Sequence, residues 1–541
     1  MKRLGLLAAL IVSVFCCCEN GGAGKQVDAD DGTLYDKEGY TVKGRVSCNG
    51  EAVAGVVVSD GVNVTKSDKY GRYWLPADIA ASDFVMISIP SGYEVASDDR
   101  YSLLPMFYGR IDRDCSDVQQ FDFELSRVDN DDYALFVFAD MHLSGRDPSS
   151  ESFSTSDAPL DFTQYETLLV PHAKAYADDL TTRVYGVNLG DMTHSQYWYS
   201  NNACFEQYLE ATRGIGFQMF NVIGNHDHDH KTMDDYGAAE RYRSVLGPTY
   251  YSFNLGRQHY VVLDNMICTD GDNSNGYDTS VDDVQVRWLK QDLEAMDQSV
   301  EDVVILCHVP FANWKTSGTT SNVQYNKVMG NFDELAAALD GYDVTIMSGH
   351  SHLSQAFRIN ERMVQYTHPS VCGTWWYELL CTDGTPAAYT VYRFSGRDMM
   401  RHVVPFGEKY RDRKYTLYNE DVTTQTGWYQ TGEDETDEST GYDKALLLNC
   451  WEWNPGWTIK VFENGKEMSG RGEMVWRCDL DHRRMCMEEG IVPYGKYSWL
   501  KTKRNLHMFQ YVPDDPASLI TIMANDETGS PRFVVNNVEI R

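Results

Sequence analysis

Five apolar runs of strand length, all in the middle of the chain, each end in residues able to bind a metal ion or move a proton. Ala134–Ala139 leads to Asp140 and His142, Tyr185–Leu189 to Gly190 and Asp191, and Met219–Ile223 to Gly224, Asn225, His226 and Asp227. Val303–Leu306 leads to Cys307 and His308, and Val344–Met347 to Ser348, Gly349, His350, Ser351 and His352. Helical patterning separates these runs over Asp161–Leu180, Cys204–Gly214, Val284–Met296 and Phe332–Leu339. Strands alternating with helices predict an α/β domain. Sites in open α/β sheets assemble beyond the carboxyl ends of strands, so the repeated placement predicts one shared site.

Each of these residues has a structural explanation when taken singly. A buried histidine is commonly a hydrogen-bonded core residue, and an aspartate after a strand commonly caps a helix. Five strand ends that mix carboxylate oxygen with imidazole nitrogen are hard to reach by accident, and this donor set suits zinc, manganese or iron. Cys307, inside an apolar run, reads as a small buried hydrophobe rather than a catalytic thiol. His194, His228 and His230 read first as loop or helix-start residues and only second as extra ligands.

The blocks DMH at Asp140–His142, GD at Gly190–Asp191, GNHD at Gly224–Asp227, the lone His308 and GHSH at Gly349–His352 occur in that order. Together they resemble the calcineurin-like metallophosphoesterases. The resemblance implies a central αββα sandwich of two mixed sheets with a dinuclear metal site at its rim. It implies that Asp140, His142 and His352 hold one ion, that Asn225, His308 and His350 hold the other, and that Asp191 bridges them. Two divalent or Fe/Zn/Mn-type ions about 3.5–4 Å apart need an anion between them, and they lower the pKa of bound water from about 15.7 to about 7. The expected reaction is an in-line attack of bridging hydroxide on phosphorus. His226 is implied as a non-ligand that protonates the leaving oxygen or steadies the phosphoryl charge, with Asp227 orienting its imidazole.

A chain of 541 residues exceeds one ordinary core, and a typical domain of roughly 150 residues predicts about three domains. Residues 39–128 carry short β-branched and aromatic runs punctuated by Asn49-Gly50, Asp60-Gly61 and Asp68–Gly71, which predicts a small antiparallel β-sandwich. Its GRV, AGVVVSDG and SDKYGRYWL segments resemble a carboxypeptidase-regulatory-like sandwich. The α/β domain is expected over 129–407 and a second β-rich domain over 408–541. Trp314, Trp375 and Trp376 are candidate pocket walls, since aromatic faces bind sugar or base rings, with core packing an equal reading. The GTWW stretch at Gly373–Trp376 followed by Asp383–Pro386 resembles a three-part subgroup of exported bacterial calcineurin-like phosphoesterases.

The N-terminus reads as a processing signal. Lys2 and Arg3 precede an apolar run, Leu4–Phe15, too short to span a bilayer. Cys16, Cys17, Cys18 and the polar residues after them resemble a bacterial lipoprotein signal, with a signal peptide over 1–16, lipid on Cys17 or alternatively Cys18, and a polar linker over 17–38. Expected localisation is therefore the cell envelope, with membrane contact only through a lipid anchor. The formal charge of -33 repels nucleic acid, so no nucleic-acid partner is expected and any anionic substrate needs local positive charge. Such a substrate is expected to be a small or glycan-linked phosphoester. No arginine stands out in the motifs for clamping a terminal phosphate, which tilts the expectation towards a phosphodiesterase over a phosphomonoesterase. A surface glycan- or protein-binding protein with a non-catalytic metal site is the alternative of another class.

Overall fold

The computed structural model describes residues 32–147, 159–269, 276–297, 300, 302–316, 323–419, 445–488 and 500–539. Cys17, Cys18 and the rest of the signal-like N-terminus lie outside the described residues, as does the acidic stretch Glu433–Glu438. Among the described residues no helix is long and apolar enough to cross a membrane.

Two mixed sheets face each other in the central domain. Its strands are β1 (Asp132–Phe138), β2 (Arg183–Asn188), β3 (Met219–Asn221), β4 (Tyr251–Leu255), β5 (Gln258–Val262), β6 (Asp302–Leu306), β7 (Asp343–Ser348), β8 (Gln355–Arg358), β9 (Met363–Thr367), β10 (Ala388–Ser395) and β11 (Asp398–Pro405). One sheet runs β3-β2-β1-β10-β11 and the other β4-β5-β6-β7-β9-β8. Strand β1 shows why these layers form. Successive side chains of a strand point to opposite faces. Tyr133, Leu135 and Val137 enter the core between the sheets, while Ala134, Phe136 and Phe138 pack with Leu169 and Ala173 of the helical run over 161–178 and with Leu209 of the helix Phe205–Thr212. Every position from Tyr133 to Phe138 therefore buries an apolar group, each large side chain contributing about 1.5–3 kcal/mol.

Parallel register brings the strand ends level. Phe138 lies opposite Asn188 and Asn188 opposite Asn221 in the first sheet, as Val262 lies opposite Leu306 and Leu306 opposite Met347 in the second. The loops after β1, β2, β3, β6 and β7 consequently emerge at one rim. Helices Asp283–Ala295 and Phe332–Ala338 bury Trp288, Leu289 and Leu335 in the core shared with the second sheet.

The N-terminal unit is a sandwich, but not a purely antiparallel one. Val42–Cys48, buried at alternate positions, pairs antiparallel with Arg72–Leu75 and parallel with Gln119–Gln120 and Phe123–Arg127. The reason is topological: the chain crosses to the opposite sheet, Val57–Ser59 through Tyr108–Arg110, before its last strands return beside the first in the same direction. The C-terminal residues form two four-stranded sheets around Leu446, Leu448, Val461, Phe509, Ile520 and Ile522. Asp383 ties them to the rim. Its carboxylate accepts from the amide of Ser354, just after His352, at 2.7 Å, and meets His507 Nε2 at 3.0 Å. Among the described residues none of the ten cysteines from Cys48 to Cys486 forms a disulfide, and burial pushes the thiol of the fully buried Cys307 well up.

Candidate metal centre

Asp140, His142, Asp191, His350 and His352 all adopt positive φ, between 47° and 67°. Non-glycine residues held there cost of order 1–3 kcal/mol each and persist where the surroundings over-determine them. Sharp turns directly after the strands aim the side chains inward instead of along the chain. Two glycines make room. A Cβ on Gly190 would stand 2.6 Å from His308 Nδ1, and one on Gly224 would stand 2.3 Å from Asp191 Oδ1.

The side chains converge in two nests. In the first, His142 Nε2 and His352 Nε2 are 2.8 Å apart, and Asp140 Oδ1 lies 4.0 Å from the former and 3.5 Å from the latter. In the second, Asn225 Oδ1 is 3.1 Å from both His308 Nε2 and His350 Nδ1. Asp191 Oδ2 reaches both nests, 3.5 Å from His142 Nε2 and 3.2 Å from His308 Nε2. Its other oxygen accepts the His226 amide at 2.8 Å.

These residues fit metal ions on their own hydrogen-bond chemistry. His308 Nδ1 is 2.8 Å from the Leu189 carbonyl, which can only accept, so that nitrogen carries the proton. In the neutral ring Nε2 then turns a lone pair towards Asn225 Oδ1 and Asp191 Oδ2, which are acceptors themselves. Lone pairs pointing at one another favour a cation among them, and imidazole, carboxylate and amide oxygen suit zinc, manganese or iron. Charge balance says the same. Burial pushes Asp140 up to about 8, against the pull of His308. Burial also works to raise Asp191, but His308, His226 and His142 hold it well below the ordinary range. His308 is disfavoured as a cation by burial, yet the Asp191 and Asp140 carboxylates raise it to about 9. Burial, and then the charge on His308, lowers His350 to about 3. A site whose histidines and carboxylates must compensate one another is one that cations stabilise.

Asp227 is buried between two of the loops at the rim. Oδ1 accepts from the amide and hydroxyl of Thr193, and Oδ2 accepts from the amides of Met192 and Gly224. Four donors surround the carboxylate, so Asp227 ties the loop after β2 to the loop after β3. Burial raises it to about 7. His226 itself reaches the centre, its ring 5.1 Å from that of His142.

His194 opens the short helix Ser195–Tyr197, as a helix-start residue should, and also enters the site. Its ring is 4.1 Å from His226, it is 6% exposed, and its Nδ1 has no hydrogen-bond partner. The three tryptophans separate. Half-buried Trp375 lies over the first nest, 4.3 Å from the His142 ring and 4.8 Å from that of His352. Trp376 is buried and donates its indole N–H to the Met141 carbonyl at 2.8 Å, holding the DMH turn from behind. Trp314 is elsewhere, lining a cavity of about 170 Å³ with Tyr325, Phe357 and Trp453.

Three residues join the rim without a motif to announce them. Arg146 packs its guanidinium against Tyr197 and Trp375, 5.2 and 5.6 Å from the ring centroids, with Nη2 buried and lacking a hydrogen-bond partner among the described residues. Tyr277 Oη is 3.3 Å from His350 Nε2. Lys503, from the C-terminal residues, donates to the Ser351 carbonyl at 3.2 Å. Loop and interdomain positions leave no periodic trace in sequence.

Comparison with known proteins places this geometry. Residues 134–354 match the family model for calcineurin-like phosphoesterase, residues 40–128 that for its N-terminal part and residues 365–531 that for its C-terminal part. No curated protein matches the chain. Among solved structures, a dimetal phosphatase from Danio rerio is similar at 13% identity and a TM-score of 0.35, over 50% of this chain and 95% of that one. A 5'-nucleotidase from Candida albicans is similar at 12% identity and a TM-score of 0.30, over 51% of this chain and 52% of that one. A NAD nucleotidase from Haemophilus influenzae is similar at 10% identity and a TM-score of 0.29, over 50% and 55%. With the N-terminal, central and C-terminal family models matching in order, this chain belongs to the calcineurin-like phosphoesterases, and it is a metal-dependent hydrolase of phosphoesters.

Proposed function

We propose that the chain hydrolyses phosphodiesters with two metal ions, one held by Asp140, His142 and His352, the other by Asn225, His308 and His350, and both by Asp191. The observation that carries this reading is the position of Asp191 Oδ2, within 3.5 Å of a histidine of each nest. When bound, the ions supply an ionised water as nucleophile and offset charge on the phosphoryl oxygens. The protein does the rest. His226, its ring 5.1 Å from that of His142 and 4.1 Å from that of His194, donates a proton to the leaving oxygen. Trp375 offers a face to a substrate ring. Trp376 and Asp227 keep the loops in register for this chemistry.

A specific observation favours monoesters as the second reading. Arg146 carries, beside Trp375, a buried guanidinium nitrogen with no partner among the described residues, and such a group suits a further anionic oxygen on the substrate. Hydrolysis of bis-p-nitrophenyl phosphate and p-nitrophenyl phosphate, after chelation and after adding manganese, zinc or iron, tests both readings. Faster diester cleavage that Arg146→Gln leaves intact supports the first. Faster monoester cleavage that Arg146→Gln depresses selects the second. Export, with lipid on Cys17, is supported by the basic start and short apolar run of the N-terminus.

A further inference from the structure

A second group of potential ligands adjoins the GNHD loop. His228, Asp235 and Cys268 bring one imidazole nitrogen, one carboxylate oxygen and one sulfur within 4.8 Å of one another. His228 and Cys268 are buried, and Asp235 is partly buried at the start of the turn Asp235–Ala238. His228 Nδ1 is 2.9 Å from the Gly224 carbonyl, so that nitrogen donates and Nε2 is the lone-pair nitrogen of the neutral ring. A histidine that donates its second N–H to a backbone carbonyl is oriented as metal-binding histidines are.

An independent observation points to a cation in the same place. Asp235 lines a cavity of about 720 Å³ between the N-terminal sandwich and the central domain, with Asp60, Asp83, Asp264 and Asp282 also in its wall. Asp264 is only 7% exposed, and its Oδ1 is buried with no hydrogen-bond partner among the described residues. Burial, and then the charges on Asp235 and Asp282, push it well above the ordinary carboxylate range. Arg243 in the same wall is paired with Asp83 and Glu240, so an unpartnered carboxylate oxygen beside two like charges calls for further positive charge.

We propose that His228, Asp235 and Cys268 form a further cation site of zinc type, separate from the seven residues of the two nests. Nitrogen, oxygen and sulfur donors suit zinc at bond lengths of about 2.0–2.3 Å, which sets the ligand atoms of a tetrahedron roughly 3.3–3.8 Å apart. A modest closing of the group reaches that spacing. Binding converts the Cys268 thiol to a thiolate–zinc bond and releases its proton to solvent, and the two anionic ligands neutralise the dication. The fourth position falls to water or the Asp264 carboxylate.

The site joins two parts of the catalytic rim. Through His228 it fixes Gly224, the first residue of the GNHD loop. Through Cys268 it fixes the hairpin Ile267–Cys268/Tyr277–Asp278, in which Cys268 lies opposite Tyr277, and the Tyr277 hydroxyl meets His350. Its role is positional: it presents His226 and Tyr277 from one anchored frame.

Cobalt(II) loading of the full chain tests this without reference to activity. Thiolate-to-cobalt charge-transfer absorption in the near ultraviolet is expected in the wild type and in Asp191→Asn. Cys268→Ser and His228→Gln are each expected to bind one metal fewer per chain by elemental analysis, and Cys268→Ser to lose the absorption. Cys372→Ser must keep it, because the Cys372 thiol is 3.9 Å from His352 Nδ1 and is the other candidate source. A wild type with no such absorption, or one whose absorption follows Cys372 and not Cys268, overturns the site. Survival of the absorption in Asp191→Asn separates this proposal from that of the two nests.

Discussion

The imidazole of His308 meets the Asp191 carboxylate at 3.2 Å while its opposite nitrogen is committed to the Leu189 carbonyl. The pair is fully buried, so its protonation in the absence of metal has a direct effect on stability. Burial raises Asp140 to about 8 from 3.8, and the carboxylates raise His308 to about 9 from 6.5 despite burial. Each group therefore holds its proton more tightly folded than unfolded. The stability each contributes is full below its unfolded pKa and is lost as pH climbs through the folded value.

From pH 6.5 to pH 8 both contributions fall together. The chelated protein is expected to lose thermal stability across that window, while the metal-loaded protein, whose ligands are already deprotonated, keeps it. Scanning calorimetry with and without chelator checks this. A stability gain from metal that shrinks as pH rises contradicts it.

His226→Ala is expected to lower kcat about 10²–10⁴-fold, the range for a general acid, with metal content unchanged. Elemental analysis beside steady-state kinetics separates the two effects. Loss of metal would make His226 a ligand.

Trp375 and Trp314 should behave oppositely. Trp375→Ala, which removes the face above His142, is expected to raise KM for aryl esters about 2–10-fold with little change in stability. Trp314→Ala, 7% exposed and away from the nests, is expected to cost about 3–5 kcal/mol of stability with KM unchanged. Denaturant titration and kinetics on the two variants check the contrast.

The central sheets were legible because one strand delivers both its apolar pattern and its ligands: DYALFVF alternates between two cores and ends two residues before Asp140 and four before His142. Motif order could not say that Asp227 spends its oxygens on Thr193, Met192 and Gly224, since only the folded loops bring those donors to it. Arg146 and Lys503 were illegible for a related reason. Arg146 approaches the metal centre through Trp375, more than two hundred residues later, and Lys503 arrives from the C-terminal sheets. The parallel pairing of Val42–Cys48 depends on a crossover that periodicity does not encode.

Asp191→Asn, purified beside the wild type, tests the central claim most directly through bound metal and phosphoester hydrolysis measured on the same samples. The wild type is expected to bind two ions in the nests and to lose activity on chelation. The variant is expected to lose the ions of both nests together and to fall about 10²–10³-fold or more in activity, since a single group stabilising transition-state charge is worth that much. A variant that keeps both ions and wild-type turnover would contradict the bridging role of Asp191 and with it the dinuclear account.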